Sequence, residues 1–383
     1  MKKVEVILKV TDACNLRCKY CYNGEAHHTG ERLSLERFEK LLNLLLTGYN
    51  LIHIIWHGGE PLSVGIDYFK QAMDVERRVH IQSGVVIENS IQTNGTLING
   101  EWIRFFKEND FKVGISFDGA DNERYRQGTD KVLRAMKLLR GAGLGFGCNA
   151  VVADNEYDLK ANYAFFKSLG VSFDFSRVLY EGGAKNMPSL DTVAYAKALC
   201  ELFDEWIYDS DGVGIRTFGL YLNLASGGKY RICSCCSCHM KYISVSPSGI
   251  LYNCGRDSLG AYPFGSVDDF ERVEDIFASE GAISLISGSV KRRERCKASC
   301  EYFPLCAGGC ADIAILEGGL DQIPTDYCYL FKTVYSHVAS VFNSLMEERV
   351  PLSRLNPMVK SILARTVSKT STTTKTDIGD TYV

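Results

Sequence analysis

The run Thr11-Asp12-Ala13-Cys14-Asn15-Leu16-Arg17-Cys18-Lys19-Tyr20-Cys21-Tyr22 decides how the rest of the chain is read. Spacings of three and two residues bring three thiols onto one loop. A cubane iron–sulfur cluster takes four cysteines. Three close together, with no obvious fourth nearby, leave one iron open to another ligand. An open metal position is where chemistry happens, whereas a closed one is structural or electron-carrying. The competing reading of the triad is a zinc knuckle that borrows a distant ligand.

Cysteine usage along the whole chain supports a metal cofactor. Of the 15 cysteines in 383 residues, 12 fall in three local groups (14–21, 233–254 and 296–310), and Cys328 follows close behind the last. A secreted disulfide scaffold would be shorter, would carry a leader and would usually have an even count. Clustered cysteines in a cytoplasmic protein point to metal or iron–sulfur binding instead. Cys148, within an expected strand, and Cys200, on an expected helix, read as small buried hydrophobes. A net charge of −3 gives no electrostatic case for nucleic acid or for an anionic membrane. Residues 4–10 are interrupted by Glu5 and Lys9, so they read as a strand and not as a signal peptide. No apolar run approaches the roughly 20 residues needed to span a bilayer.

From residue 4 to about 209, strand-like and helix-like runs alternate. The expected strands are 4–10, 51–56, 86–92, 112–117, 145–152 and 171–178. The expected helices are 34–46, 67–79, 101–107, 131–140, 159–169 and 191–208. Six such repeats imply an α/β fold with a parallel sheet and right-handed crossovers. Periodicity alone does not separate a partial barrel from a doubly wound sheet. In either, functional groups belong on loops after the carboxyl ends of strands. The cysteine loop follows the first strand, His57-Gly58-Gly59-Glu60-Pro61 the second, Thr93-Asn94-Gly95 the third and Asp118-Gly119 the fourth. After about residue 210 the rhythm breaks into short Gly- and Cys-rich segments. A hairpin is expected at 241–246 and 250–253, and a helix at 331–348. The Ser/Thr-rich stretch from Thr366 reads as disordered.

The cysteine triad, Gly-Gly-Glu-Pro, Gln-Thr-Asn-Gly and Ser-Phe-Asp-Gly, in that order after successive strands, resemble the motifs of the radical S-adenosylmethionine (radical SAM) superfamily. The later cysteines resemble its SPASM extension. The resemblance implies a partial (β/α)6 TIM-type barrel over 1–210, a small iron–sulfur SPASM domain over 211–345, and a helix end with a polar tail over 346–383. It further implies that Cys14, Cys18 and Cys21 hold a 4Fe–4S cluster whose fourth iron is chelated by SAM. Gly58 and Gly59 would let the backbone approach that ligand, and Glu60 would meet its ammonium. Thr93, Asn94, Ser116 and Asp118 would serve its ribose and carboxylate, and Tyr20 would lie near the adenine. A plain turn role remains open for Thr93, Asn94 and Asp118.

Carried over in the same way, Cys238, Cys254 and Cys310 would ligate one auxiliary 4Fe–4S cluster. Its fourth ligand lies upstream, with Cys233 the best spaced and Cys235 and Cys236 competing. Cys296, Cys300, Cys306 and Cys328 would ligate a second, which makes three clusters in all. One departure stands out: Lys297-Ala298-Ser299 puts three residues where the pattern has two. A four-cysteine structural zinc site is the alternative.

The chemistry implied is one-electron cleavage of SAM and hydrogen abstraction from a peptide or protein substrate, with a flavodoxin or ferredoxin as electron donor. The first expectation is a peptide maturase that forms thioether or carbon–carbon crosslinks. With ten residues before Thr11, leader recognition would then fall to the SPASM region, the tail or a separate protein. The second expectation is an anaerobic sulfatase maturase that makes formylglycine. Maturases of that kind carry an aspartate directly after the hairpin cysteine, and here that position is Gly255, with Asp257 the nearest candidate for a general base. A reading from another class, a non-catalytic iron–sulfur carrier or zinc-organised binding module, explains neither the open three-cysteine site nor the Gly-Gly-Glu rim.

Overall fold

A computed structural model describes residues 2–24, 29–228, 238–256 and 260–370. Six parallel strands form first: β1 (Lys3–Thr11), β2 (Leu51–Gly58), β3 (Val86–Thr93), β4 (Lys112–Ser116), β5 (Phe146–Val152) and β6 (Phe173–Arg177). Between and after them lie α1 (Leu35–Leu46), α2 (Ile66–Ser83), α3 (Gly100–Glu108), the short α4 (Asn122–Tyr125), α5 (Thr129–Gly141), α6 (Leu159–Leu169) and α7 (Thr192–Trp206). Side chains of Ser34, Asn99, Asp158 and Asp191 accept from the first-turn amides of α1, α3, α6 and α7. Each thereby satisfies a donor that the helix leaves unpaired.

Strands β1 to β6 pair in sequence order, all in parallel. Every crossover therefore advances the same way, and there is no reversal of strand order such as a doubly wound sheet requires. The sheet does not close, because the second neighbour of β1 is β7 and not β6. The arrangement is a partial barrel, as the sequence motifs imply.

The two faces of β1 differ. Val4, Val6, Leu8 and Val10 are at most 1% exposed, while Glu5, Ile7 and Lys9 are half-buried. Leu8 is in register with Trp56, and Trp56 packs on Phe38 of α1 and Phe69 of α2. The fully buried face therefore lies under the helices, and the face carrying Lys9 and its register partner His57 looks into the barrel.

The remaining helices follow β6: α8 (Arg216–Ala225), α9 (Val273–Ala278), α10 (Glu280–Ser299), α11 (Phe303–Cys306), α12 (Ala311–Leu316), α13 (Thr325–Glu348) and α14 (Pro357–Thr370). The expected hairpin forms from β7 (Tyr242–Val245) and β8 (Ile250–Tyr252), with β9 (Gly265–Ser266) beside β8. Sequence periodicity does not reveal that β7 adds in parallel to β1, with Glu5 opposite Tyr242 and Leu8 opposite Val245. One nine-stranded sheet thus runs across the boundary expected near residue 210. Helix α13 starts at Thr325 and not at 331, which places Cys328 in its first turn. Helix α14 takes in the first residues of the stretch expected to be disordered, and the rest of that stretch lies outside the described residues.

A polar bridge crosses the apolar layer between α2 and the sheet. Trp56 Nε1 donates to Asn89 Oδ1 at 2.7 Å, and Asn89 Nδ2 donates to Glu76 Oε2 at 2.7 Å. Burial pushes the Glu76 carboxyl up to about 8, with the Asn89 bond opposing. Because the folded value is raised, the folded chain holds this proton where the unfolded chain does not. The resulting stabilisation is complete below about 4.5 and is lost as pH rises through about 8. The neutral Glu76→Gln variant should therefore gain melting temperature over the wild type as pH rises from 5 to 8. The gain corresponds to a few kcal/mol, since each pKa unit is about 1.4 kcal/mol, and paired thermal melts across that range measure it.

Candidate active site

The loop after β1 carries Cys14, Cys18 and Cys21 as free, half-buried thiols. Each thiol lies within electrostatic reach of the others, and burial pushes Cys14 up to about 11. Three thiolate donors on one loop are the donor chemistry of an iron–sulfur cluster. Loops after four other strands hold this one in place.

Gly58 and Gly59 bring the end of β2 onto the cysteine loop. Gly59 N donates to Thr11 O at 2.9 Å, and Glu60 N donates to Ala13 O at 2.7 Å. A Cβ on Gly58, where φ is +131°, would lie 2.2 Å from Thr11 O, and one on Gly59 would lie 2.3 Å from Ala13 O. The backbone that these glycines admit includes the cysteine loop itself. Glu60 is fully buried, and its carboxylate accepts from Leu62 N (3.0 Å), Thr93 Oγ1 (2.7 Å) and Asn94 N (2.8 Å). Burial raises this carboxyl while the three donors oppose the rise. Asn94 Nδ2 in turn donates to Asn15 Oδ1 at 2.9 Å, so the β3 loop grips the residue beside Cys14.

The far end of the cysteine loop is tied to β4 and α4. Tyr20 OH donates to Asp118 Oδ2 at 2.5 Å, and Asp118 Oδ1 accepts from Val151 N at 2.9 Å. Asp118 is fully buried and Tyr20 is 7% exposed, so in this structure both are engaged within the protein. Arg126 Nη1 donates to the Tyr20 hydroxyl at 2.7 Å. Burial pulls the Arg126 guanidinium down, but Tyr20, Cys18 and Asp118 around it more than reverse this, and it stays charged. Ser116 is half-buried and accepts from Gln92 Nε2 at 2.8 Å. Sequence reasoning passed over Arg126, which no motif marks. It also passed over Gly182-Gly183, whose position just after β6 is a signal that was there to read. Gly183 N donates to Cys21 O at 2.9 Å, and a Cβ on Gly182 would lie 2.3 Å from that same oxygen.

The β7–β8 hairpin brings Cys254 to the barrel mouth. A cavity of about 150 Å³ lies at this seam, lined by Lys9, Gly58, Gly59, Tyr252, Cys254 and Arg256 among others. Tyr22 sits close by, with Lys9 Nζ 5.2 Å from its ring centroid and the His57 ring 6.5 Å away. Burial raises the Tyr22 phenol, and Arg256, Cys21 and Cys254 act on it from either side. Burial, then the Lys9 charge, lower His57 to about 4, so its ring is neutral. Its Nδ1 accepts from Gly58 N at 2.8 Å, which leaves the proton on Nε2. Position 255 is glycine, and a Cβ there would lie 3.0 Å from Ile7 Cγ2 and 3.4 Å from Lys9 Cε. Asp257 lies outside the described residues.

The later cysteines assemble in two places. Cys296, Cys300, Cys306 and Cys328 all line one cavity of about 100 Å³. The extra residue between Cys296 and Cys300 fits α10: Cys300 N donates to Cys296 O at 2.9 Å, and an i, i+4 pair shares one helix face. Among the described residues no three Cys, His, Asp or Glu converge tightly enough to hold a single ion. Cys254 and Cys310 both act on Arg256, and Cys310 and Cys238 both act on Arg292, so this second set is also gathered. Cys233, Cys235 and Cys236 lie outside the described residues. Cys148 is 5% exposed within β5, and Cys200 is half-buried. No helix among the described residues is long and apolar enough to cross a membrane.

Comparison with known proteins agrees with this geometry. The family model of the radical SAM superfamily matches residues 8–158. A cysteine-type anaerobic sulfatase-maturating enzyme of Clostridium novyi is 30% identical over 340 residues, which cover 81% of this chain and 88% of that one. A solved structure of anSMEcpe with bound AdoMet and a Kp18Cys peptide superposes with a TM-score of 0.77 at 28% identity, over 89% of this chain and 99% of that one. SuiB of Streptococcus suis bound to its precursor peptide SuiA shares the fold, with a TM-score of 0.62 at 16% identity, over 85% of this chain and 76% of that one. This chain therefore belongs to the radical SAM superfamily and, within it, to the anaerobic sulfatase-maturating enzymes, a family of SAM- and iron–sulfur-dependent enzymes that act on peptide or protein substrates.

Proposed function

We propose that this chain oxidises a cysteine or serine side chain within a polypeptide to formylglycine. The observation that carries this reading is end-to-end similarity to sulfatase maturases, which includes the cysteine-rich half as well as the barrel. In this reading Cys14, Cys18 and Cys21 hold the SAM-binding cluster. Cys238, Cys254 and Cys310 hold one auxiliary cluster with an upstream cysteine, and Cys296, Cys300, Cys306 and Cys328 hold the other. When bound, SAM and its cluster supply a radical able to take hydrogen from an unactivated carbon, and the auxiliary clusters offer an acceptor for the electron left behind.

The chain's own part is positioning and exclusion of water. Glu60, Thr93, Asn94, Tyr20 and Asp118 hold the cysteine loop rigid through the bonds described above. Gln92 and Ser116, half-buried on neighbouring strands, retain surface with which to meet SAM. The substrate side chain enters the cavity at the β1–β7 seam, between the Gly58-Gly59 turn and Cys254. Lys9 and Arg256, which line that cavity, orient it, and Asp257 serves as general base. A flavodoxin or ferredoxin supplies the electron. Peptide crosslinking is the second reading, favoured by the glycine at 255 where the maturases carry an aspartate; a separate leader-recognition protein then joins the partners.

The deciding experiment is anaerobic reconstitution followed by reaction with SAM, dithionite and a peptide spanning a sulfatase target cysteine, read by mass spectrometry. The expected product is an aldehyde with loss of the cysteine sulfur, together with 5′-deoxyadenosine. Loss of two hydrogens with both reacting side chains retained would establish crosslinking instead. The Cys14/Cys18/Cys21→Ala variant should make no 5′-deoxyadenosine. Gly59→Ala should drive the loop off its site and reduce iron from about twelve to about eight per chain, since each cubane holds four. Asp257→Asn should lower turnover by about 10²-fold or more, in the range of general-base loss, with SAM binding unchanged.

A further inference from the structure

Helix α10 carries a buried arginine that is paired with no carboxylate among the described residues. Arg292 is 1% exposed. Its Nε donates to Gly308 O at 3.0 Å, and its Nη1 donates to Leu320 O. Both acceptors are neutral carbonyls. A guanidinium out of water is tolerated when an anion lies beside it, because unpaired burial costs several kcal/mol. Within its electrostatic reach lie thiols from both auxiliary sets, Cys310 and Cys238 of one and Cys296 of the other, together with the like charge of Arg293.

The geometry places it between the two sets. Cys296 lies one helical turn further along α10, on the same face. Gly308 lines the cavity of the Cys296 set and sits in the short link from Cys306 to Cys310, which joins one set to the other. On the far side, Asn253 Nδ2 donates to Cys238 Sγ at 3.1 Å, and the Asn253 carboxamide oxygen meets His239 Nδ1 at 3.2 Å. The buried cation therefore touches the backbone that spaces the two sets.

We propose that Arg292 is a positioning residue shared by the two auxiliary clusters, holding their spacing and raising both reduction potentials. The inference rests on the two-auxiliary-cluster reading above. A cysteine-ligated cluster bears net negative charge, and one-electron reduction adds one more. A fixed buried cation nearby favours the reduced form, and the low local dielectric keeps the effect large.

The test is iron analysis with an EPR-monitored redox titration of the reconstituted full chain, as wild type, Arg292→Gln and Arg292→Lys. Arg292→Gln should lower both auxiliary potentials by at least about 59 mV, a tenfold change in a one-electron equilibrium. Arg292→Lys, which keeps the charge, should recover at least half of that shift. A fully loaded Arg292→Gln with wild-type potentials would overturn the inference and leave the three-cluster reading intact. Wild-type protein binding only about four irons would instead remove the reading on which it rests. Should Arg292→Gln lose its auxiliary iron, Arg292→Lys decides. Loaded with near wild-type potentials it supports the electrostatic role, and loss of iron there too would make the residue purely structural.

Discussion

The close approach of the Gly58-Gly59 turn to the carbonyls of Thr11 and Ala13 is the contact on which the site depends. At this separation there is no room for a Cβ, so two residues without one let β2 dock on the cysteine loop through backbone bonds. A loop of twelve residues that presents three thiols together relies on more than its own hydrogen bonds, of which Cys21 N to Cys18 O is one. It borrows others from strand ends that the barrel has already placed. Gly182-Gly183 repeats the device from the other side of the rim, so the loop is pinned along its length by backbone that only glycine admits.

Buried charge is the second element of that scaffold. Glu60, Asp118 and Arg126 sit beneath the cysteines, where desolvation works against each of them. Glu60 is offset by three donors and Asp118 by Tyr20, Val151 N and the nearby guanidinium. Such a network is costly unless complete, and complete it holds one geometry. Preorganisation of this kind suits a site whose contribution to the chemistry is placement.

The parallel pairing of β7 with β1 makes one active centre out of two cysteine-rich regions. It carries the hairpin, and with it Cys254, to the mouth of the barrel beside Lys9, Tyr22 and the Gly58-Gly59 turn. From there Cys296, Cys300, Cys306, Cys310 and Cys328 follow along α10 to α13, with Arg292 in electrostatic reach of Cys238, Cys310 and Cys296. The order along the fold is therefore the cysteine loop over 14–21, the cavity at the seam, the set of Cys238, Cys254 and Cys310, and the set of Cys296, Cys300, Cys306 and Cys328. In the proposed function these are the cluster loop, the substrate cavity and two auxiliary sets. An electron leaving a substrate radical would need that order.

The sequence by itself determined the six strand–helix repeats, the rim that bears the motifs, the hairpin and the superfamily, because these are written in local periodicity and in residue types spaced along single loops. Within the superfamily it placed peptide crosslinking ahead of sulfatase maturation, and similarity along the whole chain favours the reverse. Even the anomalous Cys296–Cys300 spacing was legible in principle, as one turn of a helix. Only the tertiary structure decided between open sheet and partial barrel, since winding direction depends on which strands pair. It also decided that Gly58 meets Thr11, that Glu60 meets Thr93 and Asn94, that Tyr20 meets Asp118, that β7 joins β1, and that Arg126, Tyr22, Arg256 and Arg292 gather around the thiols. Those are contacts between residues distant in the chain, and no local pattern encodes a partner that only folding brings near.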